Sequence, residues 1–175
     1  MKTIIEIAKS YIGQKEIKGN KGFEDKEFEK RMKAVGFQSG WAWCCLFAEL
    51  CYVSAMVDKK EELTKLFSAS VARTQNNFIG SKNWKFTRTP APGALAVFRS
   101  VRNGRLNWTG HIGIVEKVNK SKGTFNCIEG NTNTNGGREG IEVARRVRRL
   151  EFDRKNGLVL QGFIVPNKKG SEGEE

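Results

Sequence analysis

The hydrophobic periodicity of this chain changes once, close to residue 90, and that change restricts the fold more than any other feature. Before it, apolar residues recur at helical spacing; after it, they alternate or run in short blocks separated by turn residues. "TIIEIAKSYIG" predicts a first helix, with Thr3 and Glu6 as a capping box, Ile4, Ala8, Tyr11 and Ile12 on one face, and Gly13 behind it. "IKGNKGF" reads as a loop. "EDKEFEKRMKAVG" predicts a second helix with Phe28, Met32 and Val35 inward, and "WAWCCLFAELCYVSAM" a third, apolar nearly all round. Asp58 is placed to cap a short charged helix ending near Phe67, and "SASVARTQNNFIG" predicts one more before Gly80. Beyond the turn "PAPG", "ALAVFRSVR" predicts a strand, and Asn103–Gly104 is a strong hairpin signal. "HIGIVEKV", "GTFNCIE", "IEVARRVR" and "LVLQGFIVP" are further strands. Helices first and antiparallel strands second make an α+β domain, with the helices packed on the sheet. A chain of 175 residues fits one such domain, residues 1–167, with a polar tail at 168–175.

Composition removes several function classes. Hydrophobic content of 38% and charged content of 29% belong to a globular protein. No apolar run approaches the roughly 20 residues of a membrane helix. The N-terminus has only a short apolar patch, interrupted by Glu6, so no secretion leader is expected. The expectation is synthesis in the cytoplasm without a signal peptide. The four cysteines, Cys44, Cys45, Cys51 and Cys127, lack paired zinc-hook spacing, and there is one histidine. Free thiols, no metal and no cofactor are therefore expected. A net charge of +12 favours polyanionic partners: nucleic acid, anionic membrane or anionic cell-wall polymer. The dense run "ARRVRRLEFDRK" reads either as a solvated strand face or as an anion-binding face.

A lone histidine is more often structural than catalytic, so His111 must be judged by its neighbours. If Val118 pairs near Thr124 in the hairpin that follows, His111 lies opposite Asn131, with Glu129 one diagonal step away on the same face. An imidazole beside an oxygen acceptor is an oriented base. Cys44 and Cys45 sit at the start of the third helix, where the positive end of the helix dipole lowers a thiol pKa. The two point about 100° apart, and periodicity does not choose between them. Cys51 lies two turns deeper and reads as core. Cys127 shares a strand face with Glu129 and also reads as packing.

The segment Trp43-Cys44-Cys45-Leu46-Phe47 resembles the nucleophile motif of the CHAP family, the cysteine- and histidine-dependent amidohydrolases and peptidases. "PAPGALAVF", "GHIGIVEKV" and "IEGNTN" resemble that family's later strands, in the family's order, so the resemblance runs from about Ile4 to Val165. It implies a papain-like or NlpC-like fold and hydrolysis of an amide bond, most often in bacterial peptidoglycan. Carried over, Cys44 is the nucleophile and His111 the general base; Glu129 orients the imidazole, and Asn131 either shares that role or helps hold substrate. Cys45 stands where the family usually has a small residue, and Ala94 where it often has Asp. Trp41, Trp43 and Trp108 are candidate substrate contacts; for Trp41 and Trp43 buried packing is the leading reading and a groove wall that stacks on a glycan or peptide the alternative.

The reading at this stage is a monomeric peptidoglycan amidase or endopeptidase, a phage endolysin or virion-associated lysin reaching the wall by holin-type release or virion delivery. An antibacterial effector is the alternative within the enzyme class. Outside it stand a basic nucleic-acid-binding protein and a catalytically dead cell-wall binder. The scattered basic residues and the lack of a recognisable nucleic-acid motif weigh against the former.

Overall fold

The computed structural model describes residues 2–132 and 140–167; the expected polar tail and most of the loop "NTNTNGGREG" lie outside them. Helix α1 (Ile4–Ser10) carries the expected capping box between Thr3 and Glu6. Gly13 follows at a φ of 92°, a left-handed conformation that a side chain resists. "IKGNKGF" is more than a loop: β1 (Glu16–Ile17) and β2 (Gly22–Phe23) pair there as a small antiparallel hairpin. Asp25 caps α2 (Lys26–Ala34), which buries Phe28 and Met32. Helix α3 (Cys44–Ala55) has ten of its twelve residues buried. Leu46, Phe47 and Leu50 alone each contribute about 1.5–3 kcal/mol of apolar burial. Asp58 does not cap the next helix: it lies in a single 3-10 turn, and α4 (Lys60–Leu66) starts after Lys59 without a side-chain cap. Ser70 caps α5 (Val71–Ile79).

The second half is a six-stranded antiparallel sheet. Its strands are β3 (Trp84–Thr87), β4 (Leu95–Arg102), β5 (Arg105–Asn119), β6 (Thr124–Thr132), β7 (Glu142–Arg149) and β8 (Gly157–Pro166), in the spatial order β3-β8-β4-β5-β6-β7. The edge strand β3 has no counterpart in the expectations above. Asn103 and Gly104 turn the β4–β5 hairpin with φ values of 50° and 74°. Both are positive, as a two-residue type I′ turn requires. That tight turn lets β5 begin at Arg105, well before the apolar run that announces it.

Alternation divides the sheet between two cores. Leu95, Val97, Ile112, Ile114, Ile128, Val143 and Ile164 face the helices. Ala96, Phe98, Phe125, Cys127, Leu160 and Phe163 pack together on the opposite face. The β5–β6 register decides where the polar residues fall. Val118 stands opposite Phe125, one residue from the expected partner, but a bulge between Val115 and Lys117 absorbs the offset. Ile114 then stands opposite Ile128, the register expected of the end that carries His111 and Glu129. Glu116, the extra residue, points to solvent-side partners and forms ion pairs with Lys9 and Arg145.

Candidate active site

Cys44 is the first residue of α3, and Trp43 stands at the N-cap without a side-chain cap hydrogen bond. The N–H groups of the first turn therefore have neither a helical partner nor a capping oxygen from Trp43, and the dipole adds partial positive charge beside the thiol. His111 arrives on β5 and Glu129 on β6. Nε2 of His111 lies 2.9 Å from Oε2 of Glu129, which is completely buried. The other ring nitrogen is left for Cys44, whose ionised form both His111 and the Cys45 thiol stabilise.

The charges reinforce one another. The Cys45 thiol bonded to it, more than its burial, sets the direction for Cys44: its pKa falls well below the ordinary thiol value, with the His111 cation and the Ile112 backbone N–H helping. Burial pulls His111 down, but the Glu129 carboxylate and the Cys44 thiolate overcome it and raise the imidazole to about 10. Burial likewise opposes ionisation of Glu129, yet the cations of His111 and Arg148 hold it at about 2. Cys45 moves the opposite way, well above the usual thiol range, because it donates to Cys44 and is buried. The shifts run in directions that favour a thiolate on Cys44 and an imidazolium on His111, with Cys45 kept as a thiol.

Arg148, on β7, was not among the residues singled out by sequence. Its Nε donates to Oε1 of Glu129 at 2.7 Å and its Nη2 to Oε2 at 2.5 Å, a bidentate ion pair. The guanidinium also lies 5.1 Å from the Phe98 ring centroid. Arg148 is directly opposite Phe125, so strand alternation places it on the same face as Glu129. The run "ARRVRRLEFDRK" therefore matches neither expected reading in full. Arg145 pairs with Glu116 and Arg148 with Glu129, so two of its cations serve internal carboxylates. An arginine four residues past a buried strand pairing is the only sequence signal that could have found it, and the pairing register is needed to use that signal.

Asn131 does not reach the imidazole ring through any hydrogen bond found here. With its amide oriented by its surroundings, it donates to Gly140 O at 2.8 Å and accepts from Trp43 N–H at 3.3 Å. Its backbone is left-handed, with φ of 53°. The residue ties the end of β6 to the start of α3, which fixes the helix that begins at Cys44 against the strand that carries Glu129. Gly130, next to it, lets this approach happen: a Cβ there would stand 2.6 Å from Phe47 and from Trp43.

The tryptophans separate. Trp43 is fully buried and donates Nε1 to Glu16 at 2.6 Å, so its candidate place in a groove wall is corrected to a core position. Its large indole fills the space between Phe23 and Phe47, and burial requires the N–H partner that Glu16 supplies. Trp41 is 43% exposed and Trp108 72% exposed. Trp108 lines an open cavity of about 730 Å³ on the β4–β5 arm with Arg102, Arg105 and Leu106. Cys51 and Cys127 are completely buried, and burial raises both thiols well above the usual range. All four cysteines are free. Among the described residues no group of His, Cys, Asp and Glu could hold a metal ion, and no helix is long and apolar enough to cross a membrane.

The CHAP domain model matches residues 35–131, a segment that contains Cys44, His111 and Glu129 and ends on Asn131. Arg148 lies beyond it. No curated protein and no solved structure matches the chain. The match covers more than half of the sequence, and the α+β architecture agrees with it. The chain belongs to the CHAP family, a family of amidase- and peptidase-type hydrolases that act on peptidoglycan.

Proposed function

We propose that this protein hydrolyses an amide bond of bacterial peptidoglycan with Cys44 as nucleophile. The bond is either the muramoyl–L-alanine amide or one within the stem or cross-bridge. The observation that carries the reading is Cys44 at an uncapped helix start, beside an imidazole that a buried, doubly paired carboxylate holds in place, surroundings that lower its thiol pKa well below the ordinary value.

The Cys44 thiolate attacks the scissile carbonyl carbon, and the π electrons move onto oxygen. First-turn N–H groups of α3 are placed to donate to that oxyanion. As the C–N bond breaks, the His111 imidazolium gives its proton to the departing amine. The thioester remains. Neutral His111 then takes a proton from water, hydroxide adds to the thioester carbon, and the carboxylic acid leaves as the C–S bond breaks. The thiolate and imidazolium are restored, and no other co-reactant is consumed. Glu129 orients the ring and compensates its charge; Arg148 is a positioning residue for Glu129. Asn131 positions the helix start.

The basic arm with exposed Trp108 suits an anionic wall polymer or glycan, and half-exposed Trp41 a peptide near the helix start. A chain of net charge +12 is drawn to anionic envelope polymers, which suits a phage lysin, endolysin or virion-associated. The test is digestion of purified Gram-negative and Gram-positive peptidoglycan in reducing buffer, read by mass spectrometry. Wild type and Cys45→Ala should release fragments whose masses name the bond, and Cys44→Ala should release none. Fragments from Cys44→Ala, or none from wild type with any source, would refute the proposal.

A further inference from the structure

One buried charge has no part in the machinery above. Glu49, on α3, is 4% exposed and makes no hydrogen bond or ion pair with any described residue. Buried carboxylates are ordinarily paired, because an isolated one loses its hydration without return. Burial alone pushes its carboxyl up to about 7. Glu49 is not sealed in the core, however. It lines a groove of about 610 Å³ formed with Trp41, Leu46, Thr64, Arg73 and Asn77. The cations on this groove do not serve it: Lys65 is paired with Glu61, and neither Lys65 nor Arg73 makes an ion pair with Glu49.

The groove is close to the nucleophile. Glu49 is one helical turn below Cys45 on the same face of α3, and five residues after Cys44, about 7.5 Å along the axis. Trp41, three residues before Cys44, lines the same groove and is half-exposed. An unpaired carboxyl on the helix that begins at Cys44, with an indole lining the same groove, forms a receptor for a compact cation, by charge pairing and by attraction to the aromatic face. A neutral ligand would leave the carboxyl uncompensated.

We propose that this groove binds the side-chain ammonium of the diamino acid in a peptidoglycan stem, with Glu49 as its counter-ion. The proposal rests on the peptidoglycan reading and deepens it. Two to three residues of extended peptide, at about 3.3 Å each, cover the axial separation of Glu49 from Cys44. The diamino residue's amine is either free or acylated in a cross-link, and only the free, cationic form can pair with Glu49. The groove therefore selects stems that are not cross-linked through that amine.

The first arm measures binding without turnover. Cys44→Ala protein is titrated with stem tetrapeptides of the lysine and the diaminopimelate type, each with its side-chain amine free or acetylated, by calorimetry. Free-amine peptides of at least one type should bind about tenfold or more tightly than their acetylated forms, and adding Glu49→Gln should bring the ratio close to one. The second arm compares kcat/KM of wild type and Glu49→Gln on peptidoglycan before and after amine acetylation, with the same expected collapse of the ratio. Equal binding of free and acetylated peptides of both types, or a ratio unmoved by Glu49→Gln, overturns the proposal. Loss of the reading on which it rests looks different: wild type would cleave neither substrate, while the binding arm would still report on the groove.

Discussion

Glu49 also makes a thermodynamic prediction, independent of any ligand. Its carboxyl is raised from an ordinary 4.5 to about 7 by burial. The folded state thus holds this proton more tightly than the unfolded chain does. Between those two values the unfolded state binds fewer protons, so stability falls as pH rises, and the loss is complete above about pH 7. Each unit is worth about 1.4 kcal/mol, so an ionised Glu49 costs the fold up to about 3 kcal/mol. The residue is 4% exposed but its carboxyl opens onto the groove, so solvent screening takes part of this and about 3 kcal/mol is the upper bound. Glu49→Gln keeps the shape and removes the ionisation. Relative to wild type, the variant should gain up to about 3 kcal/mol at pH 8 and little at pH 4. For a chain of this length that corresponds to a Tm increase of roughly 6–12 °C at pH 8. Urea unfolding of both proteins at pH 4, 6 and 8 gives the difference directly, because other titrating groups cancel between the two. Stability curves that stay parallel across that range would refute the argument, since they would mean that Glu49 ionises as easily in the fold as outside it.

Two further predictions concern the catalytic row. Arg148→Met leaves Glu129 buried with one cation instead of two; the expected cost is about 3–5 kcal/mol of stability. Turnover should fall by about ten- to a hundredfold, and added guanidinium should restore part of it, whereas a variant that was only less stable would not respond. Cys45→Ala removes the thiol that donates to Cys44, so the pH midpoint for Cys44 alkylation by iodoacetamide should move upward while remaining below that of an ordinary thiol. A midpoint that stays put would mean His111 alone sets the thiolate.

Much of this site was readable from sequence because it depends on local signals and one hairpin. The capping box of α1, the apolar face of α3 and the Asn103–Gly104 turn each have a short-range physical cause. His111 and Glu129 could be brought together because a short loop joins their strands and a slip of two residues preserves the face. The β5 bulge did not spoil this, since it lies on the loop side of the site. Arg148 was out of reach for the opposite reason. Its partner sits on a strand reached through a longer connection, and among so many basic residues nothing local distinguishes the one that turns inward. For Trp43 the sequence left packing and groove wall both open, because exposure of an indole depends on its non-local neighbours, here Glu16 and Phe23. Asn131 illustrates the same limit: proximity in the hairpin was legible, but its left-handed backbone sends the amide to the helix start.

The catalytic row draws on residues 44, 111, 129 and 148, so it is assembled from contacts between distant parts of the chain. Such contacts form late in folding, after the entropy of closing long loops has been met. A nascent or partly folded chain therefore carries a cysteine of ordinary reactivity. The groups that lower its pKa, Cys45 and His111, are in place only when α3 has docked on β5. Synthesis inside a cell thus keeps the nucleophile silent until the sheet is complete, and the rate of Cys44 alkylation during refolding is a clock for that final step.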